Sequence, residues 1–408
     1  MAKIDDSVKK KVPELRFEGF TDDWEVRKLN EVSDIYDGTH QTPKYQDNGV
    51  MFLSVENIKT LTSNKFISRE AFEDEFKIRP QRGDVLMTRI GDIGTANVVE
   101  TDEDLAYYVS LALFKSEELN PYFLQASIYA PFVQDQIWKR TLHIAFPKKI
   151  NKNEIGQVPI NVPKLAEQTK IGSFFKQLDK TIALHQRKLD LLKEQKKGYL
   201  QKMFPKNGEK VPELRFAGFA DDWEEHKLGE LSNIVGGGTP STSNTEYWDG
   251  DIDWYAPAEI GEQSYVSKSK KTITELGLKK SSARILPIGT VLFTSRAGIG
   301  NTAILAKEAT TNQGFQSIVP DQNKLDSYFI FSRTNELKRY GEVTGAGSTF
   351  VEVSGKQMSK MSIMVPELSE QQKIGSFFKQ LDDTIALHQR KLDLLKEQKK
   401  GFLQKMFV

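Results

Sequence analysis

The sequence predicts an α+β protein made of two mixed α/β modules, each followed by a long helix. Three observations carry that prediction. Residues 170–204 recur as residues 373–407 with two differences in 35 positions, Lys180 against Asp383 and Tyr199 against Phe402. A second repeat marks the module entrances, where VPELRFEGFTDDWEVRKL (12–29) returns as VPELRFAGFADDWEEHKL (211–228). Between these markers identity collapses, yet turn residues and apolar runs keep their order, as in two copies of one scaffold. The copies are offset by 199 residues at the entrances and by 203 at the helices, so the modules are nearly equal in length.

The helices come first because their signal is strongest. Leu178, Ile182, His185, Leu189, Leu192, Lys196, Tyr199 and Met203 follow a four-three spacing that lines one helix face. Leu381, Ile385, Leu392, Leu395, Phe402 and Met406 repeat its apolar positions, and these two sets are the expected pairing faces. His185 and Lys196 interrupt the seam. Leu, Lys, Gln and Glu dominate 186–197, with no proline or glycine, so propensity agrees with pattern. Ser369 and Gln372 read as a capping box opening the second helix, where the first copy has Ala166. About 35 residues at 1.5 Å each give a rod of roughly 50 Å, the length of a spacer. An ordinary core helix tolerates many apolar exchanges, so near-identity points to a shared partner, or to each helix answering the other.

With 408 residues, 38% hydrophobic and 28% charged, the chain has room for two or three globular domains. No window approaches 18 uninterrupted apolar residues and residues 1–11 are polar, so neither a membrane span nor a signal peptide is expected, and the cytoplasm is the expected compartment. The absence of cysteine excludes disulfides, thiolate-zinc sites and cysteine nucleophiles, and five scattered histidines argue against a histidine metal cluster. The net charge of +1 hides a partition: residues 170–210 carry +7, residues 373–408 carry +4, and the remainder is near −10. The basic helices are either a solvated lysine-rich face or a contact with nucleic acid or an acidic partner.

Inside each module a glycine and a Thr-Pro turn come first (38–43 and 236–242), then apolar strand-like runs at 50–53 and 252–255. A β-rich segment follows in each, 83–91 and 289–298, with Arg89 and Arg296 inside glycine-rich turns. Next, Asn120-Pro121-Tyr122-Phe123 matches Asp326-Ser327-Tyr328-Phe329 as a capped helix start. Several chemical patterns are weak. Asn120-Pro121-Tyr122-Phe123 is similar to the signature that holds a flipped adenine in methyltransferases, but the second copy loses it. Asp321, Glu336 and Lys338 fit a loose metal-nuclease pattern, whereas Lys115 and Ala130 stand opposite the two carboxylates. Ser354-Gly355-Lys356 lacks the upstream glycine of a phosphate loop.

The more plausible chemistry is recognition. Arg89 and Arg296 could each project a donor fork onto guanine O6/N7 or a phosphate, or could fix a turn. Thr39, His40, Gln41 and Lys44 in the first module, and Thr239, Ser241, Thr242 and Ser243 in the second, could read base edges. Asn312, Gln313, Lys148, Lys149 and Lys356 are weaker candidates of the same type.

Taken together, Gly237-Gly238-Thr239-Pro240-Ser241, the run 247–252, Gly289 to Arg296 with Ile299-Gly300, the run 365–374 and the twin helices resemble the specificity subunit of a Type I restriction-modification system. The resemblance implies two target-recognition domains (1–165 and, with its linker, 205–368), each binding half of a split double-stranded DNA sequence. It implies that the spacer helices (166–204 and 369–408) pair as an antiparallel coiled coil with pseudo-two-fold symmetry and dock two modification subunits, with restriction subunits joining through the complex. It implies no catalytic residue and no cofactor in this chain, S-adenosylmethionine, ATP and Mg²⁺ belonging to the partner methyltransferase and restriction subunits. The residues reach a like arrangement independently. Duplex DNA has backbone dyads perpendicular to its axis, so two like modules bind it most simply as a pseudo-two-fold pair, and helices related by that axis run antiparallel. A protein-binding scaffold and a self-sufficient nuclease are the competing readings.

Overall fold

The computed structural model describes residues 12–206, 208–261, 263–296, 298–345 and 352–408. The polar leader (1–11), Asn207 of the expected linker and Ala297 of the second glycine-rich turn lie outside the described residues. The chain forms two compact units, one comprising the residues up to Gln186 with Arg390–Val408, the other Arg187–Gln389. Each unit therefore holds one module, the first half of the helix that follows it and the last half of the other long helix.

In the first unit four antiparallel neighbours, Asp34–Asp37, Leu111–Lys115, Val85–Thr88 and Ala96–Val98, form the main sheet. A three-stranded sheet places Val50–Leu53 between Phe66–Ile67 and Leu105–Tyr107. Glu25–Lys28 pairs with Pro159–Val162 and so closes the module just before its long helix. The second unit repeats this plan. Its main sheet runs Ser232–Gly236, Gln316–Pro320, Val291–Phe293, Thr302–Leu305, Tyr265–Val266, beside a sheet of Lys271–Ile273, Trp248–Tyr255 and Thr310–Thr311. Glu224–Lys227 with Ser362–Val365 closes it. The modules are thus mixed α and β, as expected.

The long helices span Leu165–Lys202 and Leu368–Lys405, 38 residues each. The capping box expected at Ser369 is absent, because the helix already starts at Leu368 and the Ser369 hydroxyl donates to the Glu367 carboxylate. Both starts are instead pinned by the module. Arg16 binds the buried Glu167 at 2.7 Å and Arg215 the equally buried Glu370 at 2.7 Å, bidentate pairs that fix both orientation and depth. The next residue locks the entrance to the module's own helix: Gln168 accepts from Asn120 N at 2.9 Å and Gln371 from Asp326 N at 3.0 Å. Gly172 and Gly375 sit against those same caps, where a Cβ would come within 2.3 Å of Asn120 Oδ1 and Asp326 Oδ1. The helix and the module interlock at that glycine.

Within each unit the two helix halves run antiparallel. In the first, Asp179 meets Lys399 at 2.5 Å, and Phe174 stands edge-on to Phe402 at 4.9 Å. In the second, Lys196 meets Asp382 at 2.6 Å and Tyr199 is edge-on to Phe377 at 5.0 Å. Low numbers of one helix therefore face high numbers of the other in both units. Along the stripe Leu189, Leu192, Met203, Leu392 and Met406 are buried, and Leu178, Ile182, Tyr199, Leu381, Ile385, Leu395 and Phe402 half-buried. Lys196 is no defect in the seam, since it and its copy Lys399 each find a carboxylate on the facing helix. The helix ends also enter the module cores, Phe407 stacking near Phe123 and Trp24 and Phe204 near Phe329 and Trp223.

Candidate nucleic-acid interface

Arg89 is the hub of the first module's loops. It leaves the strand Val85–Thr88 with its backbone N–H donating to Ser110 O (2.9 Å) and its carbonyl accepting from Ile150 N (2.9 Å). Its side chain is buried, Nε donating to Ile150 O at 3.1 Å and Nη1 paired with the Asp37 carboxylate. Asp37 ends its strand and leads into Gly38, where a Cβ would lie 2.3 Å from Tyr107 O, so only glycine lets the chain pass there. Gly91 N donates to Lys148 O and Leu142 N to Lys149 O, both at 2.8 Å. Loops 38–44, 89–94 and 142–149 are thereby gathered into one surface. His40, Gln41, Lys44, Lys148 and Lys149 are exposed on it, while Thr39 is half-buried and donates to Glu75 at 3.1 Å.

The second module gathers the equivalent loops with different side chains. Ser295 N donates to Gly314 O (2.8 Å) and Ser295 O accepts from Val353 N (3.1 Å), while Gly238 N donates to Thr311 O (2.8 Å). The Thr239 hydroxyl meets the Gln313 amide, and Asn312 Oδ1 accepts from Gly314 N at 2.7 Å. Arg296 Nε lies 3.6 Å from the Cβ position of Gly314, and its Nη1 is 3.9 Å from Glu352. Arg296 keeps 39% of its side chain exposed, so its fork stays accessible. Ser241, Thr242 and Ser243 are exposed above Trp248, whose Nε1 donates to Ser241 O at 3.1 Å. Lys356 is exposed on the short helix Gly355–Ser359.

The backbone pairings correct the expected equivalence of the two arginines. Thr88 and Thr294 both bond across the glycine turn, to Thr95 O and Asn301 O, so Arg89 corresponds to Ser295 and Ile90 to Arg296. In extended chain successive side chains alternate faces, so a one-residue displacement turns one arginine inward and the other outward. Arg89 is a clasp for the loops, its Nε and Nη1 already engaged by Ile150 and Asp37. The sequence reading also missed the hairpin tip, where Ile144 and Phe146 are fully exposed at 100% and 105%. The available signal was an isolated Phe146 before Pro147-Lys148-Lys149.

The catalytic patterns come apart. Asn120 Oδ1 accepts from Tyr122 N and Phe123 N at 3.1 Å as a helix cap, and the Tyr122 hydroxyl contacts Glu100 and Lys176. Those two contacts hold the Glu100 carboxyl below its usual range. Glu336 is engaged by the buried Arg333, Asp321 by Lys324 at 3.6 Å and Lys338 by Glu342 at 4.0 Å. Among the described residues no three His, Asp or Glu side chains form a cluster able to hold a metal ion, and no helix is long and apolar enough to cross a membrane.

The chain is thus a duplicated mixed module, each copy followed by a long helix and gathering polar loops whose side chains differ between the copies. The chain belongs to the Type I restriction modification DNA specificity domain family, which it matches twice, over residues 21–194 and 220–397. It is 37% identical over 179 residues to the Type I restriction enzyme MjaIX specificity subunit of Methanocaldococcus jannaschii, covering 43% of this chain and 41% of that one. The putative MjaX specificity subunit of the same organism is 24% identical over 400 residues, 94% and 92% of the two chains. The EcoR124I/EcoR124II specificity subunit of Escherichia coli is 31% identical over 163 residues, 38% of this chain and 40% of that one. The first relative is thus matched over less than half its length. The crystal structure of a Type I restriction-modification S subunit from M. genitalium shares the fold, with a TM-score of 0.68 at 14% identity over 97% and 99% of the chains. Both matched stretches are thus DNA specificity domains.

Proposed function

We propose that this chain recognises a bipartite double-stranded DNA target, one half-site per module, and directs methyltransferase and restriction subunits to it in the cytoplasm. The observation that carries the reading is the contrast between frame and display. The same backbone bonds recur around Arg89 and Ser295, while the exposed loop residues differ from module to module. Like frames with different side chains suit two different half-sites, and phosphate contacts by the loop lysines would position each frame. S-adenosylmethionine, ATP and Mg²⁺ belong to the partner subunits in this reading. Leu184, Leu191, Leu387 and Leu394 remain more than half exposed on the long helices, off the pairing stripe, and offer an apolar seat for two modification subunits.

The test is a mobility-shift and selection assay on random duplex DNA, with and without a modification subunit, with cleavage and methylation read on the same samples. Selection of two conserved half-sites at a fixed gap, with neither cutting nor methylation by the chain alone, is the expected result. Turnover abolished by Asp321→Ala would instead establish the nuclease reading.

A further inference from the structure

We infer that the hairpin 142–149 is an apolar wedge that enters the base stack of the first half-site, with Lys148 and Lys149 on the flanking phosphates; this rests on the DNA reading above. The tip exposes Ile144 and Phe146 completely, although large apolar side chains gain by leaving water. The foot is firm. Leu142 and Lys149 bridge antiparallel, His143 Nε2 lies 2.9 Å from Trp138 O, and Lys148 Nζ sits 4.7 Å above the Trp138 ring. Ile150 and Lys148 are bonded to Arg89 and Gly91, so the hairpin stands on the gathered loop surface and not apart from it.

Charge selects the occupant. Residues 141–150 contain two lysines, one histidine and no acid, in a module whose chain outside the long helices is net negative. The centre of a protein–protein patch is depleted in charge, whereas Phe, Ile and Pro beside Lys or Arg is the composition of side chains that unstack a base step while cations hold the backbone. Such a wedge favours flexible pyrimidine–purine steps, giving specificity without a hydrogen bond to the base.

The full chain, with the modification subunit where binding requires it, is used to select duplexes from a random pool. The selected duplex is then titrated with the wild type, with the Ile144→Ser, Phe146→Ser double variant and with Lys148→Ala, Lys149→Ala. In a parallel series 2-aminopurine replaces each adenine of the site in turn. The apolar variant should melt like the wild type, bind about 5- to 150-fold more weakly, as expected for the loss of one stacked base, and lose a 2-aminopurine fluorescence rise that the wild type gives at one step. The lysine variant should keep that rise and lower the salt slope by about one to two. Equal affinity and no fluorescence rise in any position overturn the wedge while leaving the DNA reading intact. Unchanged DNA affinity with loss of the modification subunit assigns the hairpin to a protein interface and also overturns it. A wild type that selects no duplex under either condition overturns the DNA reading itself.

Discussion

Arg89 keeps its guanidinium inside the first unit, between the Asp37 carboxylate and the Ile150 carbonyl, so Arg89→Ala strands a largely covered carboxylate and releases two loops. We expect that variant to lose about 3 kcal/mol of stability in urea unfolding, as when one partner of a buried pair is removed. Arg296→Ala should leave stability within about 0.5 kcal/mol and weaken DNA binding by about 1–3 kcal/mol, relaxing discrimination in the second half-site alone. Relaxation of both half-sites would refute a base contact confined to one module. Asp326 gives a pH signature. Burial pushes its carboxyl up, only partly offset by the N–H groups of Phe329 and Tyr328. A raised carboxyl pKa means that the group's favourable share of stability is full below its unfolded value and is lost as pH rises through the folded value. Asp326→Asn, which copies Asn120 of the first module, keeps the cap without that loss. Melting profiles from pH 4 to 8 should show the variant gaining on the wild type as pH rises; parallel profiles would remove the assignment. The residue types at the loops were legible in the sequence, but their facing was not. The two arginines were matched by letter, whereas the bonds of Thr88 and Thr294 match Arg89 with Ser295, and a one-residue slip in extended chain inverts a side chain.

At the scale of elements the long helices were readable because composition, stripe and repetition agreed, and along the stripe the side chains range from buried to half-buried. Their starts were not readable. The capping-box pattern at Ser369 competes with Arg215–Glu370 and with Gln371, long-range bonds that local pattern does not contain. The caps at Asn120 and Asp326 were readable, being local. Nothing local explains Gly172 and Gly375, because helix interiors disfavour glycine relative to alanine by about 1 kcal/mol. Their reason is the cap oxygen 2.3 Å from where a Cβ would be. Gly375→Ala should therefore destabilise the second unit by about 1–3 kcal/mol in spite of its better helix propensity. Gly401→Ala, with open space around its Cβ position, should stabilise the helix by a few tenths to about 1 kcal/mol. Thermal unfolding of the two single variants decides this, and an equal gain in both would show that the helix can shift away from the cap at no cost.

The whole molecule is tested by lengthening its helices. Each unit contains half of both long helices, paired antiparallel through Asp179–Lys399 in one and Lys196–Asp382 in the other. An insertion in one helix alone would leave the facing helix short, so it must be made in both, after Lys188 and after Lys391, which are the same position of the repeat. Four residues add about one turn, or roughly 6 Å, and nearly restore the phase of the stripe. If the helices set the gap between half-sites, the preferred gap should grow by about one to two base pairs, at 3.4 Å per pair, with the half-site sequences unchanged. Two residues in each helix would rotate the stripe by about 200°, turning Leu189 and Leu392 out of the seam on one side of the insertion. That variant should lose helix pairing and bind with no preferred gap. The measurement is selection of bound duplexes around fixed half-sites for the parent and both variants, with circular dichroism and melting as controls on folding. An unchanged gap in a well-folded four-residue variant would exclude the ruler and favour modules that find their half-sites independently.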